Sequence, residues 1–175
     1  MNTWVFDLFT KELDKDGAID TRAYETLVWD YPGAKHFGQD FAVKFANDLA
    51  DYSADSTLRM PLQAAKYLTP NISATAPVFN SDGNNKRILR FADVLLMYAE
   101  AVNEASSPTP AAYDAINRVR ARANMPEIPA GLSQADFRQR VRDERVLELC
   151  NESQRPLDLR RWGLAPDRLI DNPEL

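Results

Sequence analysis

The sequence predicts a mainly α-helical protein with a loop-rich N-terminal segment, and three observations carry that expectation. Apolar residues recur at helical spacing through most of residues 86–163. Helix start and stop residues punctuate that stretch where the apolar stripes begin and end. Residues 1–85 differ: short apolar runs such as Ala23–Trp29 alternate with turn signals at Asp16-Gly17, Pro32-Gly33, Thr69-Pro70-Asn71 and Asp82-Gly83-Asn84-Asn85. Loops of that kind on a rigid scaffold often carry binding sites.

The first predicted helix runs from about Lys86 or Arg90 to Glu104, with Val94, Leu95, Tyr98, Ala101, Val102 and Ala105 on its apolar stripe. Ser106-Ser107-Pro108 ends it. The second opens with Thr109 as N-cap and Pro110 at the first helical position, a favourable pair. Its stripe is Ala112, Ala115, Ile116, Val119 and Ala123, and Asn124 closes it before Met125-Pro126. The third begins at Ser133, with Asp136 in a near capping box, and turns Phe137, Val141, Leu147 and Cys150 inward. A short fourth helix is expected over Leu157–Trp162. The brief link between the first two makes them antiparallel. Their facing alanines allow close approach, as in one tetratricopeptide-like pair, though no second copy follows.

The 175 residues suffice for one domain with a core. A formal net charge of −5 argues against a nucleic-acid partner, since phosphate binding needs a basic face. Residues 1–85 hold 7 Lys/Arg against 12 Asp/Glu, and residues 86–170 hold 14 against 12. In the second group 13 of the 14 cations are Arg, which suggests forked, partly buried pairing with carboxylates. The single histidine, His36, rules out metal sites or triads that need two, and reads as a loop hydrogen-bonder. Cys150 reads as a small buried hydrophobe. Asp14-Lys-Asp16-Gly17-Ala-Ile-Asp20 hints at a calcium loop, but its Gly falls at position 4 rather than 6, so a turn is expected and no metal or cofactor is assigned.

Residues 144–163 are the most informative stretch. Glu144, Glu148 and Glu152 share one helix face at four-residue spacing and would repel unless paired. They need Arg partners, and Arg145, Arg155, Arg160 and Arg161 lie near in sequence. The expectation is a buried ion network of Glu144, Arg145, Glu148, Glu152, Arg155, Asp158 and Arg161 locking the third helix to the fourth. Arg118, Arg120 and Arg122 spread around their helix rather than forming a stripe. Glu148 and Glu152 could instead be a glycosidase pair. Nearby guanidinium groups would depress their pKa values, however, and a general acid needs the opposite.

Three of these runs resemble the RagB/SusD family. Arg90-Phe-Ala-Asp-Val-Leu-Leu-Met-Tyr-Ala-Glu-Ala-Val-Asn-Glu104 is similar to its R-[YF]-A-D-V-L-L-M-Y-A-E-A-x-N-E signature. Ala115-Ile-Asn-Arg-Val-Arg-Ala-Arg-Ala123 resembles its A-I-N-x-V-R-x-R-A helix. Glu144-Arg145, Glu148-Leu149, Glu152, Arg155 and Asp158-Leu-Arg-Arg-Trp-Gly163 resemble its E-R-x-x-E-L-x-x-E-G-x-R-x-x-D-L-x-R-W-G block. A looser likeness reaches back to Asp20-Thr-Arg22-Ala-Tyr24 and Trp29-Asp-Tyr-Pro-Gly33. Ser153 departs from the family's usual Gly, at a cost if the turn requires positive φ.

The resemblance implies a SusD-like fold in a C-terminal portion of a longer family pattern. The expected layout is a loop-rich ligand face over 1–85 and a helical region over 86–175, together one structural domain. It implies a non-enzymatic surface protein of the outer membrane that binds a glycan or other nutrient. Import would run through a SusC-type TonB-dependent transporter, and the signal and lipid-anchor segment is expected outside this chain. A docking scaffold with no ligand site of its own is the alternative. Sugars present apolar faces rimmed by hydroxyls, which flat rings and polar side chains bind. Trp29, Tyr31, His36, Phe37 and Tyr52 are therefore the expected ligand residues, with Trp29 and Tyr31 leading. Trp162 is expected to be a packing residue.

Overall fold

The computed structural model describes residues 3–36, 39–55, 62–66 and 88–166. The chain forms two compact units, Met1–Phe6 with Ala23–Lys86 and Asp7–Arg22 with Arg87–Leu175. Residues 7–22 thus belong with the helices, although the sequence placed them in the loop-rich part. The reason is local: Lys15 N donates to Asn124 O at 3.0 Å, and Arg22 reaches Glu144 at 2.6 Å.

Helix α1 (Thr3–Thr10) leads into a turn, and α2 (Arg22–Thr26) runs directly into strand β1 (Leu27–Val28). Strands β2 (Lys35–His36) and β3 (Gln39–Asp40) pair antiparallel, Lys35 opposite Asp40. Helices α3 (Phe41–Lys44) and α4 (Ala46–Ala54) follow, and β4 (Gln63–Ala64) pairs antiparallel with β1, Leu27 opposite Ala64. Asp40 caps α3 by accepting from Val43 N at 3.2 Å. Val28, Ala34 and Phe41 form a small core there, with Tyr31, Phe45 and Ala65 against it.

The second unit holds α5 (Phe91–Ala105), α6 (Pro110–Arg122), α7 (Gln134–Leu149) and α8 (Arg155–Arg161). Their termini follow from local chemistry. Thr109 accepts from Ala112 N, and Pro110 starts α6. Asn124 ends α6 at φ 58°, a left-handed conformation Asn tolerates better than most residues. Ser133 Oγ accepts from Asp136 N at 3.1 Å and donates to its carboxylate at 2.6 Å. Helix α8 starts two residues before its expected start, because Pro156 is tolerated in a first turn.

Leu96, Ala99, Ala112, Ala115, Ile116, Val119, Ile128, Phe137 and Val141 make the main core. Tyr113 meets Phe137 edge-on at 4.8 Å, and its hydroxyl accepts from Leu132 N at 2.9 Å. Asn103 and Gln134 tie α5 to α7 through reciprocal bonds to each other's backbone carbonyls, at 3.0 and 2.6 Å.

Two expectations about inward faces change. On α5 the buried residues are Asp93, Leu96, Ala99, Glu100 and Asn103, while Val94, Tyr98, Ala101 and Ala105 are exposed. The helix is apolar on more than one side. Small Ala99 and the acids that meet arginines select the side that packs. On α7, Phe137, Val141 and Leu147 are buried as expected, but Cys150 at its C-cap is only half-buried.

Candidate functional site

The inward stripe of α7 starts apolar at Phe137 and Val141 and continues with Glu144 and Glu148, all buried. Two carboxylates on an otherwise core-facing stripe must be paired or neutralised. Glu144 accepts from Arg22 Nη1 at 2.6 Å and Arg120 Nη1 at 3.0 Å. Glu148 accepts from Arg22 Nη1 at 2.9 Å, Arg90 Nη1 at 2.5 Å and Arg122 Nη2 at 2.8 Å. Arg90 also donates to the backbone carbonyl of Glu148, and its Nε reaches Glu152 at 2.8 Å. Asp20 holds Arg22 from behind at 2.6 Å.

A second set of pairs joins α5, α7 and α8. Arg145 bridges Asp93 and Asp158, both at 2.8 Å. Arg161 donates to Asp158 at 2.8 Å and forks onto Glu100 at 2.5 and 2.6 Å, and the Trp162 indole donates to Glu100 at 2.6 Å.

The structure therefore brings together Glu144, Arg145, Glu148, Glu152, Asp158 and Arg161 as ion-paired residues, in two connected sets. Arg155, half-buried at the first turn of α8, lies 5.8 Å from the Trp162 ring centroid. Arginines that meet the three glutamates include Arg22, Arg90, Arg120 and Arg122. Arg120 and Arg122 belong to the run that looked dispersed around its helix. The missed members did leave a trace: Arg90, Asp93 and Glu100 sit in the 90–104 motif, and Asp20 and Arg22 in the looser one.

Burial pushes the Glu148 carboxyl up, but bonds and charge from Arg90 and Arg22 outweigh it and hold the group below its ordinary value. Such a carboxylate stays ionised and has its acceptor sites filled. It is suited to holding segments together and unsuited to donating a proton. Among the described residues, no group of three or more His, Cys, Asp or Glu is placed to hold a metal ion. Asp14 instead makes a turn, its Oδ1 accepting from Asp16 N and Ala18 N, both at 2.9 Å.

The other candidate surface belongs to the first unit. Trp29 is 8% exposed. Its ring touches Phe6 (centroids 5.0 Å), Tyr24 (4.9 Å) and Tyr31 (4.7 Å). The expectation of an open Trp29 platform is corrected: the ring is the buried hub of an aromatic cluster. Tyr24, at 43% exposed, is the open ring of that cluster, and Tyr31 is half-buried edge-on to it at 5.2 Å. Tyr31 also lines a cleft of ≈ 390 Å³ with Asp30, Pro32, Gly33, Ala34, Asp40 and Ala42. Gly33, at φ 84°, makes the turn that opens this cleft. His36 is buried, its ring tilted 5.5 Å from Phe45, and burial together with Lys44 lowers its pKa. Phe37 and the side chain of Tyr52 lie outside the described residues.

Comparison with known proteins places this geometry. The profile of the SusD family matches residues 6–172. SusD-like protein P25 of Formosa agariphila is 35% identical over 150 residues, 79% of this chain but 28% of the relative. SusD-like protein P38 of the same organism is 30% identical over 151 residues, covering 70% of this chain and 29% of the relative. The chain thus spans less than a third of the length of these curated relatives. A SusD superfamily protein from Bacteroides vulgatus superposes with a TM-score of 0.74 at 30% identity, over 93% of this chain and 33% of that one. A SusD-like carbohydrate binding protein from Bacteroides fragilis superposes with a TM-score of 0.59 at 26% identity, over 93% of this chain and 36% of that one. With its ion-paired helices matched in sequence and in fold alike, the chain belongs to the SusD family.

Proposed function

We propose that this chain contributes the C-terminal scaffold and part of the ligand surface of a nutrient-binding protein. Its ligand is a glycan, taken up at the outer membrane through a SusC-like TonB-dependent transporter. The observation that carries the reading is the Tyr24–Tyr31 pair beside the cleft at Pro32-Gly33. An exposed ring, a half-buried ring and the carboxylates of Asp30 and Asp40 combine stacking surface with hydroxyl acceptors, the chemistry a sugar requires. The carbohydrate-binding relative from Bacteroides fragilis supports the same class of ligand. Tyr24 and Tyr31 replace Trp29 as the leading platforms, and His36 is not among the residues lining the cleft.

Catalysis is not part of the proposal. Glu148 and Glu152 are both engaged by Arg90, and Glu148 is held ionised. No helix among the described residues is long and apolar enough to cross a membrane. One observation favours the docking reading as a second: Ile88, Leu89, Phe91, Val94, Met97 and Tyr98 are exposed at and along α5.

Affinity electrophoresis against a panel of neutral polysaccharides tests the reading. Retardation by at least one glycan, lost in Tyr24→Ala with no reducing sugar released, is the expected result. Retardation identical in wild type and Tyr24→Ala removes the ligand surface from this face, and sugar release abolished by Glu148→Gln overturns the non-enzymatic assignment.

A further inference from the structure

Several arginines in the second unit follow one pattern. Arg22, Arg90, Arg120, Arg145 and Arg161 each meet at least two acceptor groups. Arg138 forks onto Glu104 at 2.6 and 2.7 Å. Arg142, one helical turn after Arg138 on the same side of α7, breaks the pattern. Its Nε is buried and has no acceptor. No carboxylate among the described residues pairs with it, and its attractions to Glu100 and Glu104 act at a distance.

The two nearby acids have their acceptors in use. Glu100 takes both arms of Arg161 and the Trp162 indole, and Glu104 takes both arms of Arg138 and a bond from Asn103 at 3.2 Å. What Arg142 does contact is the face of Trp162, at 4.8 Å from the ring centroid, with Arg161 also at 4.8 Å and Arg155 at 5.8 Å. The cation–π attraction to that ring supplies no oxygen acceptor to the guanidinium. Burial and the like charges of Arg138 and Arg161 weigh against the charged form of Arg142, so the group gains from an anion more than a solvated arginine does.

We propose that Arg142, held on Trp162 and flanked by Arg155, is a binding site for a single oxyanion, a carboxylate or a sulfate or phosphate group. Such groups match the planar fork of arginine, and charge-assisted bonds of this kind are the stronger class. Every residue of the site belongs to the helical unit.

The test follows the side-chain Nε–H resonance of Arg142 and the indole N–H of Trp162 by NMR in the 175-residue chain. Sodium sulfate and sodium acetate are titrated separately, with ionic strength held constant by sodium chloride. The expected result is saturable movement of both resonances with at least one anion. Saturation by acetate alone assigns a carboxylate ligand, and saturation by sulfate alone a tetrahedral one. Arg142→Gln should weaken the anion-dependent movement of the Trp162 resonance by about tenfold or more, and Arg142→Lys, which keeps charge but loses the fork, should restore it only partly. Arg118→Gln, an exposed arginine on α6, should leave it unchanged. Because the first readout is on the wild-type chain, a variant that fails to fold does not obscure the answer. Movement that is absent, or linear in salt and equal for chloride, overturns the proposal.

Discussion

Arg22 and Glu148 lie 126 positions apart and meet at 2.9 Å, with side chains 8% and 0% exposed. The same Nη1 atom donates to Glu144 at 2.6 Å, so one guanidinium bonds two carboxylates one turn apart on α7. Left without partners these acids would repel each other on a face that otherwise packs into the core. The segment before α2 is thereby fastened to the helices of its unit.

Arg22→Ala should destabilise the chain by about 3–5 kcal/mol, because it leaves buried carboxylates with fewer partners. Asp158→Ala belongs in the same range, since it removes an acceptor shared by Arg145 and Arg161. Urea denaturation decides both. A change below about 1 kcal/mol, the value of a solvated surface pair, would show that these contacts do not hold the fold.

Acid should weaken the protein through Glu148. Its folded pKa lies below the ordinary value of 4.5, so its stabilising contribution is complete above about that pH. The contribution is lost as pH falls through the lower, folded value. Melting temperature should therefore drop as pH is taken from about 4.5 to 3, and Glu148→Gln should show a shallower drop from a lower starting point. Parallel pH curves for wild type and variant would exclude Glu148 as a contributor.

Trp29 and Tyr24 should separate stability from binding. Trp29→Ala empties the centre of the aromatic cluster and should cost about 3–5 kcal/mol. Tyr24→Ala removes a largely open ring and should cost about 1 kcal/mol or less. It should weaken a responsive glycan by about tenfold, a stacking effect of about 1–3 kcal/mol by analogy with bases on aromatic rings. Melting curves paired with calorimetric titration read the two effects, and a reversed order would restore Trp29 as the platform.

Ser153→Gly should stabilise. Ser153 is exposed at φ 65°, in the left-handed region that costs a residue with a Cβ about 1–2 kcal/mol. The gain should be about 1 kcal/mol, part of it lost to the greater freedom of glycine in the unfolded chain. A lower melting temperature would mean that the Ser153 side chain contributes more than its backbone strain costs.

The sequence alone determined the features that are settled within a few residues. Thr109, Ser133 and Asn124 mark helix ends because each satisfies or terminates the backbone of its own turn. The spacing of Glu144, Glu148 and Glu152 required cationic partners for the same short-range reason. Which cations answer was not legible, because Arg22, Arg90, Arg120 and Arg122 come from segments that meet only when the chain crosses itself. The working face of α5 was misplaced, since the helix is apolar on several sides and only packing against α6 and α7 selects Leu96 and Ala99 over Val94 and Tyr98. Trp29 carries the same lesson: an aromatic residue beside a Pro-Gly turn suits a surface or a core equally, and its contacts with Phe6, Tyr24 and Tyr31 place it in the core.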